Sequence, residues 1–106
     1  MGWFDGDSYQ AQAYEQATKR PHEASWTHEL LAGAAAFEAA KAYENHAEAN
    51  GHPPEHAMAK ELLAGFVGSF VDREVETRGL DAIDRERAKY QAREQAEQAL
   101  AQQGIY

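Results

Sequence analysis

Apolar residues recur along this chain at three- and four-residue intervals in several long stretches, and the alternation of a half-buried strand is almost absent. Helix start and stop signals divide the stretches. Asp7 or Ser8 is placed to cap a first helix running to about Thr18, and Pro21 ends it because the residue before a proline disfavours helical geometry. A second helix is expected from Ser25 or Thr27 to about Asn50, where Gly51 can take the left-handed cap. Pro53 and Pro54 mark a turn. A third helix follows from near Pro54 to Arg78, with Gly79 as its stop, and a fourth from about Asp81 to Gln102, before Gly104.

The faces of these segments predict how they pack. On the second, Trp26, Leu30, Gly33, Phe37 and Ala40 follow the spacing of one stripe, flanked by Ala34 and Ala36. On the third, Leu62, Leu63, Phe66, Val67, Phe70, Val71 and Val75 make a wider apolar face. Small residues at Gly33, Ala36, Gly65, Gly68 and Ser69 would let the two helices approach closely. The fourth segment has only Tyr90 and an alanine row, Ala88, Ala92, Ala96 and Ala99, after Ile83, and its charges pair locally as Asp81 with Arg85, Glu86 with Lys89 and Arg93 with Glu97. It reads as a solvated helix with one shallow face, free to lie on the others, pack against a second chain or fray.

An internal repeat joins the middle segments. His28-Glu29-Leu30-Leu31-Ala32-Gly33 recurs as Lys60-Glu61-Leu62-Leu63-Ala64-Gly65, and Glu44 and Glu76 match at the same offset. Two copies joined by a Gly-Pro-Pro turn imply an antiparallel helical hairpin built by duplication. The expected architecture is all-α and a single domain: an N-terminal arm with a short helix (1–24), the hairpin (25–79) and a long charged C-terminal helix (80–106), assembled as a dimeric bundle.

Composition changes this picture in two ways. Alanine supplies 22 residues, while Leu, Ile, Val and Phe together supply only 15 of 106, so the core is thin and association with a second copy would add burial. Trp3, Phe4, Tyr9 and Tyr14 are the aromatics expected to be covered in a homodimer. The balance of 18 acids against 10 bases, a net charge of −8, argues against a nucleic-acid partner, which leaves a second copy or another protein as the expected partner. The absence of cysteine excludes disulfides, thiolate metal sites and thiol catalysis. With no basic leader and no apolar stretch near the length of a membrane span, a cytoplasmic protein without membrane contact is expected.

Candidate chemistry rests on five histidines. His46, His52 and His56 would gather around the hairpin turn, where imidazoles with Glu48 or Glu55 suit Zn²⁺, Cu²⁺ or Ni²⁺, although the prolines between His52 and His56 break a shared turn. A solvated polar loop is the plainer reading. His28, opening the Leu-rich unit beside Trp26, could ligate a metal or haem iron, or act as a base with Glu29; a structural hydrogen bond at the helix start is the plainer reading. No phosphate loop, dinucleotide fingerprint or nucleophile elbow is present, so catalysis is not indicated. Among the carboxylates, Glu38 or Glu44 of the facing helix is expected to pair with Arg73 and set the hairpin register.

Several runs, taken in order, resemble one family. They are Met1-Gly2-Trp3-Phe4-Asp5, the stretch from Thr27-His28-Glu29-Leu30-Leu31-Ala32-Gly33 to Ala42-Tyr43-Glu44, Ala59-Lys60-Glu61-Leu62-Leu63-Ala64-Gly65-Phe66, Asp72-Arg73-Glu74-Val75-Glu76 and Gly79-Leu80-Asp81. Together they resemble the CipC-like antibiotic-response proteins, small proteins mostly of fungi. The resemblance implies a stress or antibiotic response and hyphal expression, and it brings no catalytic residues with it. A looser likeness is to the plant abscisic-acid, stress and ripening proteins, which bind zinc. The expectation is thus a small stress-response protein that acts by binding or self-association, with histidine-dependent zinc or haem binding, and redox activity, as the alternative.

Overall fold

In the computed structural model, residues 8–19, 27–51, 56–78 and 84–102 are described. They form four helices: α1 (Tyr9–Lys19), α2 (His28–Asn50), α3 (His56–Arg78) and α4 (Arg85–Gln102). The sequence signals account for their ends. The Ala11 N–H donates to Ser8 Oγ at 3.1 Å, and the Leu30 N–H to Thr27 Oγ1 at 3.0 Å, each satisfying a donor that the first turn leaves free. Gly51 closes α2 with φ of 79°, a region a side chain would strain, and its N–H reaches Ala47 O at 2.7 Å. The fourth helix starts four residues later than expected: Asp84 is its cap, and Asp84 Oδ1 accepts from the N–H groups of Glu86 and Arg87 at 3.1 and 3.2 Å. Asp81 lies outside the described residues, and Arg85 instead reaches across to α3, as described below.

α2 is the central helix and packs against all three others. Its first half is buried on every side, Leu30 through Ala36 without interruption, which only a run of small residues permits at this helix spacing. α3 returns antiparallel to α2, and α4 returns antiparallel to α3, with Lys60 near Glu97 at one end and Lys89 near Asp72 at the other. α1 crosses α2 in the same sense, since Tyr9 and Ala13 stand over Gly33 while Tyr14 meets Phe37.

The core is where the sequence reading needs correcting. Tyr43, Leu31, Leu63, Leu100, Val67 and Val71 are its largest fully buried side chains. α4 is no shallow face: Ala88, Ala92, Ala96, Ala99 and Leu100 are all buried, so the alanine row is a tight seam into α2 and α3. The small residues of the hairpin also serve differently. Gly33 admits α1, not α3, since a Cβ there would stand 2.8 Å from Tyr9 Cε2 and 3.0 Å from Ala13 Cβ. Gly65 and Ser69 are exposed, and Gly68 faces only the Lys89 stem. The repeated hexapeptide therefore occupies two unlike environments, buried in α2 and half in solvent in α3.

Candidate functional site

The predicted histidines separate. His28 opens α2, and its Nε2 accepts from the Asp84 N–H at 2.9 Å, so the imidazole is joined to the start of α4. His46 lies near the end of α2, half-buried, with Nδ1 enclosed and, among the described residues, without a hydrogen-bond partner. His56 is the first residue of α3, at the same end of the hairpin, and its side chain lies outside the described set, as does His52 entirely. Among the described residues no three histidine or carboxylate side chains are gathered as a metal would require.

Ion pairs hold the helices in register. Asp72 receives Lys89 Nζ at 3.0 Å and Arg85 at 3.2 Å, and Arg85 also reaches Glu76 at 3.5 Å. The Lys89 hydrogen bond, with Arg85 behind it, holds the Asp72 carboxyl below its ordinary range. Arg73, expected to face Glu38 or Glu44, lies over the Phe70 ring and 3.7 Å from Glu74 on its own helix. Tyr14, expected to be covered by a second copy, is half-buried within the single chain: its ring packs on Phe37 at 4.9 Å under the Lys41 ammonium, and its hydroxyl donates to Glu38.

What the fold assembles, and the sequence did not show, is a polar cleft of about 300 Å³ between the starts of α1 and α2 and the outer face of α4. Tyr9, Glu29, Gln91, Glu94, Gln95 and Gln98 line it. Three helices build it in different ways. The α4 residues fall at i, i+3, i+4 and i+7, one ridge about 10 Å long at 1.5 Å per residue, on the flank of the helix beside the alanine seam. Tyr9 is brought to the cleft because Gly33 has no side chain to hold α1 away. Gln10 Nε2 donates to Gln95 Oε1 at 2.7 Å and ties α1 to α4 beside it.

Electrostatically the cleft is negative. Glu29 and Glu94 supply two carboxylates, the three glutamines supply amides that both accept and donate, with Gln95 Oε1 already engaged by Gln10, and Tyr9 supplies a ring that remains 51 % exposed. Burial first, and the Glu29 charge second, push the Tyr9 phenol above its usual value. Glu94 and Gln98 also wall a second depression of about 290 Å³ with Lys60, Glu97 and Ala101. This arrangement can hold a cation that donates hydrogen bonds. The signal that could have found it is the polar period on α4, which is indistinguishable from an ordinary solvated face until α1 is placed beside it.

Among the described residues no helix is long and apolar enough to cross a membrane. A family model described as "Virulence factor CipC-like" matches residues 10–103, nearly the whole chain. No curated protein and no solved structure matches it.

Proposed function

The chain belongs to the CipC-like virulence-factor family, and from that premise we propose that it is a cytosolic stress-response protein acting by non-covalent binding, its cleft receiving a basic segment of a protein partner. The observation that carries this reading is the pair of carboxylates in the cleft. A lysine or arginine side chain carries donors but no acceptor, and so matches Glu29 and Glu94, with the amide oxygens of Gln91 and Gln98 beside them. The ridge length of about 10 Å suits roughly three residues of extended chain at ~3.3 Å each. A net charge of −8 adds long-range attraction for such a partner.

The test is calorimetric titration with a short lysine- and arginine-rich peptide. Glu29→Gln with Glu94→Gln keeps the shape and removes both charges, and affinity is expected to fall about tenfold or more. The control is Glu48→Gln with Glu61→Gln, two exposed carboxylates outside the cleft. An equal loss in the control would mean that the peptide senses only net charge, and the reading would fail.

Self-association belongs to the same proposal. The thin core and the exposed ring of Tyr9 support it, and sedimentation is expected to show a dimer. Only an 11.8 kDa monomer at tens of micromolar would remove this part. A second reading, histidine-dependent metal binding, is favoured by one observation: the enclosed, unpartnered Nδ1 of His46 at the hairpin turn. It requires zinc to raise the melting temperature of the native chain and to lose that effect in His46→Ala. His28 as a haem ligand would have to give up its bond to Asp84, so haem binding should lower the protection of the Asp84 amide.

A further inference from the structure

The internal repeat places two tracks of one kind on α2 and α3. On α2, Glu29, Gly33, Phe37 and Lys41 follow at four-residue steps along one row of the helix, and α1 lies over all four. Tyr9 feels the Glu29 charge, Tyr9 and Ala13 stand over Gly33, and Tyr14 meets the Phe37 ring under the Lys41 ammonium. The counterparts on α3 are Glu61, Gly65, Ser69 and Arg73. All four are exposed, and among the described residues a Cβ at Gly65 would meet nothing within 4 Å. Glycine in mid-helix is less favourable than alanine, and the packing of the single chain gives no return for it here.

We propose that this track of α3 is the dimer interface, docking antiparallel on the same track of a second copy about a two-fold axis. The inference rests on the self-association proposed above and adds the face on which the chains meet. Charge selects the occupant. Glu61 and Arg73 stand at opposite ends of the track, about 18 Å apart at 1.5 Å per residue. Rows of i, i+4 residues pack alongside one another in the commonest class of helix contact, the axes crossing at about 50°. In antiparallel order this sets Glu61 of each chain beside the partner's Arg73, and Gly65 beside the partner's Ser69, so both charges are matched and the helices come closest where their side chains are smallest. Parallel order would set glutamate against glutamate and arginine against arginine.

The surrounding side chains fit that pairing. Asp72 and Glu76, the other acids of this part of α3, are engaged by Lys89 and Arg85 of their own chain. Arg73 lies over the Phe70 ring and 3.7 Å from Glu74 on its own helix, and its guanidinium stays open to solvent. Exposed Met58 and the half-buried Leu62 and Phe66 flank the track and gain burial against a second copy. None of the residues lining the cleft belongs to α3, so the dimer leaves the cleft open to its own partner.

Sedimentation of the intact chain and its variants at tens of micromolar tests the interface, with circular dichroism checking that each remains as helical as the native protein. The native chain should be dimeric. Glu61→Arg alone and Arg73→Glu alone each place like charges at both ends of the contact, and should weaken the dimer about tenfold or more. An equimolar mixture of these two variants matches every charge again, one chain being basic at both ends of the track and the other acidic, and should dimerise about as well as the native protein. Gly65→Gln enters open space in the single chain, so it should keep the melting temperature of the monomer or raise it while weakening the dimer about tenfold or more. A native chain that is monomeric would remove self-association and this interface with it. A native dimer unaffected by these variants would keep self-association and overturn the α3 interface, as would a mixture that associates no better than its two components.

Discussion

Leu100 is the sharpest probe of how α4 is held. It is fully buried and is the one large apolar side chain that this helix contributes to the core, the rest of its seam being Ala88, Ala92, Ala96 and Ala99. Cutting Leu100 back to alanine removes the side chain from a packed site and leaves a cavity, a change that costs about 2–5 kcal/mol in well-packed cores. A chain of 106 residues has a total stability of about 5–15 kcal/mol, and one with so few large apolar residues belongs near the lower end. The substitution thus removes a third or more of the whole. What remains to hold α4 is a row of alanines and ion pairs at partly exposed positions such as Lys60–Glu97, worth about 0.2–1 kcal/mol each. Urea denaturation followed by circular dichroism at 222 nm measures the loss. Leu100→Ala should lower the midpoint strongly and broaden the transition as α4 separates from the other helices. Tyr90→Ala, on the same helix at a position 56 % exposed, should stay within about 0.5 kcal/mol of the native chain. If Leu100→Ala were as mild as Tyr90→Ala, α4 would be the peripheral helix that its sequence first indicates, and the cleft built on it would lose its wall.

Other perturbations follow from the same contacts. Gly33→Ala gains about 1 kcal/mol of helix propensity but puts a Cβ 3.0 Å from Ala13 Cβ, which only a shift of α1 relieves; faster amide exchange in α1 with little change in melting temperature is expected. Asp72 is held below the ordinary carboxylate value of 3.8, so the folded state binds its proton less readily than the unfolded chain does. Its stabilising contribution is present at neutral pH and disappears as pH falls below that value; Asp72→Asn should be less stable than the native chain at pH 7 and equal to it in strong acid. Tyr14 is raised above 10.0 by burial first and by its bond to Glu38 second, so its contribution is present below that pH and lost as the phenol ionises. Ultraviolet titration of Tyr14→Phe against the native chain should remove a late-ionising phenol.

The helix boundaries were legible because their causes are local. Ser8, Thr27 and Gly51 act through bonds to residues three or four positions away, and those are visible in the sequence. Asp84 is equally local, but Asp81 offered the same signal three residues earlier, and only the structure chooses between them. Burial was legible where side chains are large, as at Leu63, Val67 and Phe70, and misread where they are small. An alanine row has the same spacing whether it faces water or a helix at close range, so the α4 seam and the buried arc from Ala32 to Ala36 needed tertiary contacts to interpret. Tyr43 was missed because it stands off the apolar stripe of α2, and Leu100, although it continues the four-residue spacing of Ala88, Ala92 and Ala96, was missed because that row reads as solvated. The cleft could not be read at all. It exists because Gly33 lets α1 lie against α2, which brings Tyr9 and Glu29 to residues of α4 more than sixty positions away.

Binding at that cleft is most directly tested by two-dimensional NMR of the labelled chain titrated with a lysine- and arginine-rich peptide. The account predicts shifts concentrated at Tyr9, Glu29, Gln91, Glu94, Gln95 and Gln98, with the Tyr14–Phe37 side of the molecule unmoved. Shifts spread evenly over the acidic surface, or none at peptide concentrations well above that of the protein, would contradict it.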